Sequence, residues 1–135
     1  MSTDRPPRLL PAPTGLSAEF YAHAARGELR FQRCDACGGW RHPPRFLCPS
    51  CGSDRFTWAL STGRGRIFSW TITHRAVDPA FDVPYAVVIV ELEEGVRVVA
   101  NVHEMPLGDL RLDLPVVARL DRVNEHVALL SFGTA

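Results

Sequence analysis

The sequence predicts a mostly β protein, in which one N-terminal helix and a small cysteine-bearing ribbon precede a five-stranded barrel. Three observations carry this prediction. Apolar residues recur at helical spacing in a single stretch, four cysteines form two C-x-x-C pairs within eighteen residues, and five segments rich in valine, isoleucine and aromatic residues follow residue 61. At 135 residues, the chain has the size of one compact unit with a small appendage.

The composition is that of an ordinary soluble globular protein, with 46% hydrophobic and 22% charged residues. The longest apolar run, residues 85–90, is far shorter than the roughly 18 residues that a membrane-spanning helix needs, so it indicates a buried strand. The first residues, MSTDRPPRLLPAP, are interrupted by prolines and do not resemble a secretory signal. We therefore expect a flexible arm over residues 1–14, a cytoplasmic location and no association with a membrane.

Charge is unevenly distributed along the chain, although its sum is zero. Residues 1–75 hold eleven arginines against five acids, a net +6, whereas residues 76–135 hold four arginines against ten acids, a net −6. Lysine is absent. Because arginine pairs bidentately with carboxylates and phosphates, the first half can offer a basic face to either group. A solvated surface without such a partner explains the same asymmetry.

The helix is expected over residues 17–26, where Thr14 or Ser17 can cap the start and Gly27 can close the end. Alternating residues over 29–33 then predict a short strand that leads into the first cysteine. The helix, this strand and the cysteines form a predicted unit over residues 15–60. The apolar residues at helical spacing are Phe20, Tyr21, Ala24 and Ala25.

Residues 61–135 are expected to form the barrel. Its predicted strands cover residues 66–74, 85–92, 96–102, 115–120 and 127–132. Short strands with two longer excursions fit a five-stranded Greek-key barrel of the OB type, and a five-stranded open sandwich is the alternative. The turn before residue 96 predicts a hairpin in which Gly95 takes a positive φ. Phe68 and Trp70 lie two residues apart in the first strand and are expected to face the core together.

The four cysteines are Cys34, Cys37, Cys48 and Cys51, with ten residues between the two pairs. Two C-x-x-C turns place four thiolates at the corners of a tetrahedron about 2.3 Å from a zinc ion, and the short spacing indicates a rubredoxin-like ribbon. Four protein ligands close the coordination sphere, so we expect one structural Zn²⁺ that performs no chemistry. A four-thiolate iron centre, disulfides and a redox dithiol are the alternatives.

Residues near the cysteines are expected to support the metal. Gly38, Gly39 and Gly52 follow the two pairs, and they can free backbone amides to donate to the thiolates. His42 lies between the pairs, where a histidine at the surface or behind a ligand is more common than a fifth ligand.

No set of residues assembles into a reaction centre, so no catalytic residue is assigned. The cysteines are used for metal, and the sequence lacks G-x-S-x-G, H-E-x-x-H and a phosphate-binding glycine loop before a helix. His74 and His103 stand where predicted strands end and long loops begin, which is a common place for ligands. Glu91, Glu93 and Glu94 lie at the predicted hairpin, where their charge is expected to be solvated.

Several motifs follow one another in a characteristic order: GELRFQRCxxCG from Gly27, PPR before CPxCG, GxGxIxSxT from Gly63, and PYAVVIVEL from Pro84. Together they resemble the OB-fold, acyl-CoA-associated family known as domain of unknown function thirty-five, with its rubredoxin-like zinc ribbon. The resemblance covers about residues 17–132 and is specific as a combination. One departure is Asp113, where the family has glycine, although aspartate tolerates the left-handed conformation.

The resemblance implies a non-catalytic accessory subunit that assembles with a thiolase-like enzyme, which is a thiolase, an aldolase or an acyltransferase, in a hetero-oligomer. Such subunits can help to bind or channel a CoA thioester. The candidates for contacts with CoA phosphates or an acidic partner surface are Arg64, Arg66, His74 and Arg75. Trp40 and Phe46 are candidates for the partner interface, with packing of the ribbon on the barrel as the equal alternative.

Two other functions stay open at this point. Zinc ribbons and OB barrels also bind single-stranded nucleic acid, but the barrel segment carries a net −6, so we expect no nucleic-acid partner. A small enzyme that uses His74 or His103 as a base is the other alternative. A stable complex with a thiolase-like protein would distinguish among the three.

Overall fold

The computed structural model describes residues 9–135, so the first eight residues of the predicted arm lie outside the described part of the chain. Helix α1 spans Gly15–Ala25, two residues before the predicted start. Thr14 has extended backbone at the N-cap, but its side chain makes no capping hydrogen bond. Gly27 follows the helix with a φ of 81°, which confirms its predicted role in ending it. Within residues 9–135, no helix is long and apolar enough to cross a membrane.

Three strands form the ribbon sheet. β1 spans Arg30–Cys34, β2 spans Trp40–Arg41 and β3 spans Phe56–Leu60, in the order β2-β1-β3. Both pairings are antiparallel. β2 was not predicted, because a strand of two residues carries no periodicity in the sequence. The first cysteine pair therefore lies in the connection between two paired strands.

Five further strands form a closed barrel in the order β4-β5-β6-β8-β7, and β7 returns to pair with β4. All pairings are antiparallel except that of β6 with β8. This closure confirms the predicted barrel and makes the open-sandwich alternative wrong. The strands are β4 Arg64–Thr73, β5 Tyr85–Leu92, β6 Arg97–Val102, β7 Pro115–Arg122 and β8 Ala128–Thr134.

The ribbon and the barrel share one hydrophobic core. Phe31 from β1 is fully buried in the same cluster as side chains from the barrel strands, and helix α1 adds Phe20, whose ring lies 6.1 Å from that of Phe31. Full burial of each large apolar side chain is worth roughly 1.5–3 kcal/mol. The ribbon is therefore packed firmly against the barrel. The barrel's most deeply buried side chains are Ile67, Val88, Val90, Val116 and Phe132.

The first barrel strand contains a bulge that the sequence pattern did not predict. The register of β4 against β5 shifts between Ile67 and Ser69, which makes Phe68 an extra residue. Trp70 packs against the core, whereas Phe68 is 44% exposed and lies under Arg97, whose guanidinium carbon is 3.7 Å from the ring centroid. The expectation that the two aromatic rings share the core-facing side is therefore wrong, because the bulge resets the alternation.

Two tight turns of the barrel require a positive φ. Gly95 has a φ of 92° in the hairpin between β5 and β6, which confirms the prediction for this turn. Asp113 has a φ of 63° just before β7. Aspartate is one of the few residues other than glycine that adopt this conformation routinely. Asp113 thus adopts the left-handed conformation that glycine would otherwise supply at this position.

Candidate metal centre and the surfaces around it

The four cysteines lie together at the end of β1, whose last residue is Cys34. Their Sγ atoms all lie within 4.8 Å of one another, and the Sγ atoms of Cys34 and Cys51, like those of Cys37 and Cys48, are 3.6 Å apart. A tetrahedron with metal–sulfur bonds of about 2.3 Å has edges of about 3.8 Å. A disulfide requires an S–S distance of about 2.05 Å, and all four cysteines are free. The geometry therefore fits a metal site and does not fit disulfides.

Backbone amides stabilise the thiolate of the first cysteine in each pair. The amides of the fourth and third residues of each C-x-x-C turn lower the pKa of Cys34 and lower that of Cys48 to about 6. The glycines act differently from the expectation stated above. The amides of Gly38 and Gly52 donate to the carbonyls of Cys34 and Cys48, both at 2.9 Å. Their contribution is to close the turns with positive φ.

The protonation of Cys51 indicates that the four-cysteine cluster requires a bound cation. The Ser53 amide favours the thiolate of Cys51, but the sulfur atoms of the other three cysteines outweigh it and raise the pKa of Cys51 to about 11. Four thiolates at this spacing cannot all be charged at neutral pH unless a cation joins them. Four sulfur donors in tetrahedral arrangement suit zinc or iron. The residues therefore fit a divalent metal in both geometry and charge.

His42 lies outside this sulfur cluster. Its ring is 5.2 Å from that of Phe20 and 5.1 Å from that of Phe31, at the place where helix α1 meets the ribbon. Burial there lowers the pKa of His42 to about 4. The side chain thus packs as a neutral aromatic ring between the helix and the sheet.

Acid is expected to destabilise the folded chain partly through His42. Its pKa is about 4 in the fold against 6.5 when exposed, so the unfolded state takes up the proton first and stability falls as the pH drops through this window. A pKa shift of this size corresponds to a loss of about 3 kcal/mol in folding stability once the pH is below both pKa values. We expect the stability of His42→Phe relative to wild type to rise as the pH is lowered from about 7 to about 4.5. Urea denaturation at each pH measures this, and a constant difference would contradict it.

Arg64 and Arg66 are engaged with acidic residues of the barrel. Arg64 Nε donates to Glu93 at 3.3 Å, and Arg66 Nη2 donates to Glu91 at 3.0 Å. Glu91 also accepts from an arginine of β6, and the two arginines lower its pKa. Glu94 accepts hydrogen bonds from the segment before β4. The expectation that these three acids are simply solvated is therefore wrong.

The two histidines at strand ends differ in their surroundings. His74 lies in the exposed loop after β4, next to Arg75, and neither side chain has a hydrogen bond or ion pair among residues 9–135. His103 follows β6, and its Nδ1 lies 2.7 Å from Ser131 Oγ. Its Nε2 is packed so closely on Gly133 that a β-carbon there would collide with it. The first histidine is available to a ligand, whereas the second is held between strands.

The two aromatic candidates for the partner interface, Trp40 and Phe46, differ in their exposure. Trp40 packs against the shared core, and Arg33 lies over its ring with 5.5 Å between the guanidinium carbon and the ring centroid. Phe46 is 73% exposed and Leu47 is 57% exposed. Packing of the ribbon on the barrel explains Trp40. Phe46 and Leu47 form an exposed apolar pair on the loop that precedes Cys48.

Sequence reasoning missed a buried polar pair in the ribbon, Gln32 and Arg41. Gln32 Nε2 donates to the carbonyl of Arg45 at 2.8 Å, and the amide of Arg45 donates to Gln32 Oε1 at 2.7 Å. These bonds hold the loop that carries Cys48. The available signal was the alternation along β1, which places Gln32 on the same face as Cys34.

Comparison with known proteins matches both parts of the chain. Residues 22–57 match the family model described as ChsH2, rubredoxin-like zinc ribbon domain, and residues 58–121 match ChsH2, C-terminal OB-fold domain. A solved structure, the Ltp2-ChsH2(DUF35) aldolase, is similar with a TM-score of 0.85 and 34% identity, over 93% of this chain and 98% of that chain. This chain belongs to the DUF35 family. The family resemblance inferred from the sequence motifs is thereby confirmed.

Curated relatives of this DUF35 chain carry several names. It is 31% identical to a DUF35 domain-containing scaffold protein of Methanothermobacter thermautotrophicus, over 80% of this chain and 84% of the relative. It is 27% identical to the benzoylsuccinyl-CoA thiolase subunit BbsA of Thauera aromatica, over 93% and 83%. It is 36% identical to a probable enoyl-CoA hydratase alpha subunit of Thermomonospora curvata, over 85% and 37%. The chain spans about a third of the length of the hydratase subunits it matches.

Proposed function

We propose that this DUF35 chain is a zinc-containing accessory subunit without activity of its own, and that it assembles with a thiolase-like acyl-CoA enzyme. The observation that carries the proposal is the similarity, over nearly all of both chains, to a chain of the Ltp2-ChsH2(DUF35) aldolase. The relatives named as a scaffold protein and as a thiolase subunit support the same role. The partner is thus a thiolase, an aldolase or an acyltransferase.

The chemistry of the candidate catalytic residues supports an accessory role. The four cysteines lie in one metal-sized cluster, where their thiolates act as ligands instead of nucleophiles. His103 shares a hydrogen bond with Ser131, but its other ring nitrogen is packed against Gly133 and cannot reach a substrate. His74 has no nucleophile or orienting carboxylate bound to it among residues 9–135.

Zinc is the metal that we propose for the four-cysteine cluster, with a four-thiolate iron centre as the alternative. Cys34, Cys37, Cys48 and Cys51 would hold it and fill its coordination sphere, so that its contribution is to fold the two cysteine turns together. Free thiols of this kind suit a reducing compartment, which is why we place the chain in the cytoplasm.

Two exposed segments are proposed as the contact with the partner enzyme. The loop between β4 and β5 exposes Val77 (89%) and Val83 (40%) beside Arg75. The ribbon exposes Phe46 and Leu47. Apolar side chains with a neighbouring arginine are enriched at the centres of protein interfaces, and none of these four side chains belongs to the hydrophobic core of residues 9–135.

A CoA thioester is proposed to be bound or channelled beside the loop that carries His74 and Arg75. These two side chains have no partner in the described part of the chain, so a phosphate could pair with them at no cost in existing contacts. Arg64 and Arg66 would first have to release Glu93 and Glu91. The loop pair is therefore the better candidate for phosphate contact.

Co-expression with a thiolase-like protein encoded beside this chain tests the proposal. We expect the two chains to co-purify through a tag on either one, to elute together in size exclusion, and to turn over acyl-CoA only as a complex. Acyl-CoA turnover by the isolated chain, or no association with any such partner, would contradict it.

Binding of nucleic acid is expected to be negligible at physiological salt. A single-strand groove needs free cations and exposed aromatic rings side by side, but the arginines on the outer face of β4 and β6 are paired with Glu91 and Glu93. Fluorescence anisotropy with labelled single-stranded DNA and RNA measures the affinity. Micromolar binding with a steep salt dependence would favour the nucleic-acid-binding alternative instead.

A further inference from the structure

Arg41 is the one charged residue that is buried among residues 9–135, with 5% of its surface exposed. Its Nε donates to Gln32 Oε1 at 3.2 Å, and its Nη2 donates to the carbonyl of Arg45 at 3.0 Å. Its Nη1 is buried without a hydrogen-bond partner. No carboxylate of the described residues forms an ion pair with it. A buried cation without a counter-charge is strongly destabilising, so the arrangement lacks an anion.

The strand register relates Arg41 to the first cysteine. Arg41 on β2 is directly opposite Gln32 on β1, and Cys34 is two residues further along the same face of β1. Phe56 on β3 is directly opposite Cys34, and the guanidinium carbon of Arg41 lies 5.1 Å from the Phe56 ring centroid. The side chain of Arg41 therefore crosses β1 toward the first metal-ligating cysteine. Diagonal neighbours of this kind are separated by about 7–8 Å between their Cα atoms.

Charge balance then relates Arg41 to the metal. Four thiolates and one divalent cation carry a net charge of −2, and an anion of this kind in a partly dry site is stabilised by a nearby cation. We propose that Arg41 is the counter-charge of the metal-loaded cysteine cluster and raises its affinity for the metal. The inference rests on the metal occupancy proposed above and is independent of any partner enzyme.

Two other arginines near the cysteines, Arg33 and Arg55, do not fit this role. Arg33 alternates with Cys34 and so points to the opposite face of β1, where it donates to the carbonyl of Gly38 at 3.2 Å and stacks on Trp40. Arg55 is exposed to solvent, where its charge is screened by water. Arg41 thus acts through the cluster as a positioned charge, while Arg55 supplies a matched control for the loss of one positive charge.

Two substitutions separate charge from hydrogen bonding at this position. Arg41→Gln keeps a donor for the carbonyl of Arg45 but removes the charge, whereas Arg41→Lys keeps the charge. We expect R41Q to weaken zinc binding by about tenfold or more, in line with the effect of other groups that support metal ligands. R41K is expected to retain most of the affinity, and Arg55→Gln to leave it unchanged. Competition with a chromophoric chelator on the full chain measures each dissociation constant.

A spectroscopic measurement completes the test. In Co²⁺-loaded protein, loss of a nearby cation makes the thiolates easier to oxidise, so R41Q is expected to shift the sulfur-to-cobalt band to longer wavelength, and R41K is not. Equal affinity and an equal band in R41Q and wild type would overturn the proposal, as would equal losses in R41Q and R41K.

Refolding of R41Q with excess Zn²⁺ is the control for a folding defect. Recovery of folded protein with weakened affinity supports the counter-charge role, whereas failure to fold at any zinc concentration overturns it in favour of a purely structural one. Wild-type chain that binds no zinc in the competition assay would overturn the inference while leaving the proposed assembly with a partner enzyme intact.

Discussion

Replacing Cys48 by serine is expected to abolish metal binding and most of the soluble yield, whereas wild-type chain purified without added metal is expected to carry about one Zn²⁺. Backbone amides lower the pKa of the Cys48 thiol to about 6, so its loss removes a sulfur that ionises readily at neutral pH. Structural zinc supplies about 10–16 kcal/mol of apparent binding energy in small zinc peptides, and this energy acts as folding energy. Elemental analysis and thermal denaturation measure the two effects.

The neighbouring substitution Ser50→Ala is the matched control for Cys48→Ser. The side chain of Ser50 is exposed, whereas its backbone amide stabilises the Cys48 thiolate. Alanine at this position retains that amide. Metal content and melting temperature are therefore expected to remain those of the wild type. Iron with a visible absorption band would replace zinc in the assignment, and a folded, metal-free wild type would refute a structural metal altogether.

The second large effect is expected on the partner enzyme. Replacing His74 and Arg75 together by alanine should weaken complex formation or raise the partner's apparent KM for its acyl-CoA about tenfold. A charge-assisted hydrogen bond contributes roughly 1.5–3 kcal/mol, and exposure of these two side chains to solvent reduces that contribution. Zinc content and folding should be unchanged, because neither side chain has a hydrogen bond or ion pair to lose among residues 9–135. Steady-state assays of the partner with each variant measure the effect.

Two control variants sharpen this experiment. Arg64→Ala with Arg66→Ala removes the arginines that are paired with Glu93 and Glu91, so we expect a smaller effect on the partner than from the loop pair. Arg111→Ala removes an exposed arginine from the segment before β7 and is expected to have none. If the loop variant leaves both affinity and KM unchanged, the loop is not the contact for partner or thioester.

Much of the fold was predictable because its signals are local. The spacing of the four cysteines alone predicts a metal-binding ribbon, since a C-x-x-C turn positions two sulfur atoms whatever surrounds it. The apolar, valine-rich run predicted β5 to the residue, because such residues favour a buried strand whatever the segments around it. The positive φ of Gly95 also follows from the residues of its own turn.

The features that were not predictable depend on segments that are distant in sequence. The bulge at Phe68 arises from the pairing of β4 with β5, and it turns this ring outward under Arg97. The sequence predicted solvated acids at the hairpin, but the pairing of β4 with β5 places Arg64 and Arg66 beside Glu93 and Glu91. No local pattern encodes these contacts, because each requires two strands to be in one register.

The sequence by itself thus determined the class of fold, the cysteine pairs of the candidate metal centre and the family resemblance, since spacing and periodicity are properties of contiguous residues. Only the tertiary structure decided which polar groups are paired in hydrogen bonds or ion pairs. Among residues 9–135, it engaged Arg64 and Arg66 with acids and left His74 and Arg75 without a hydrogen bond or ion pair. It also buried Arg41 opposite Gln32 without a carboxylate partner in that part of the chain. The physical reason is that burial and pairing of a charge depend on what the folded chain brings next to it.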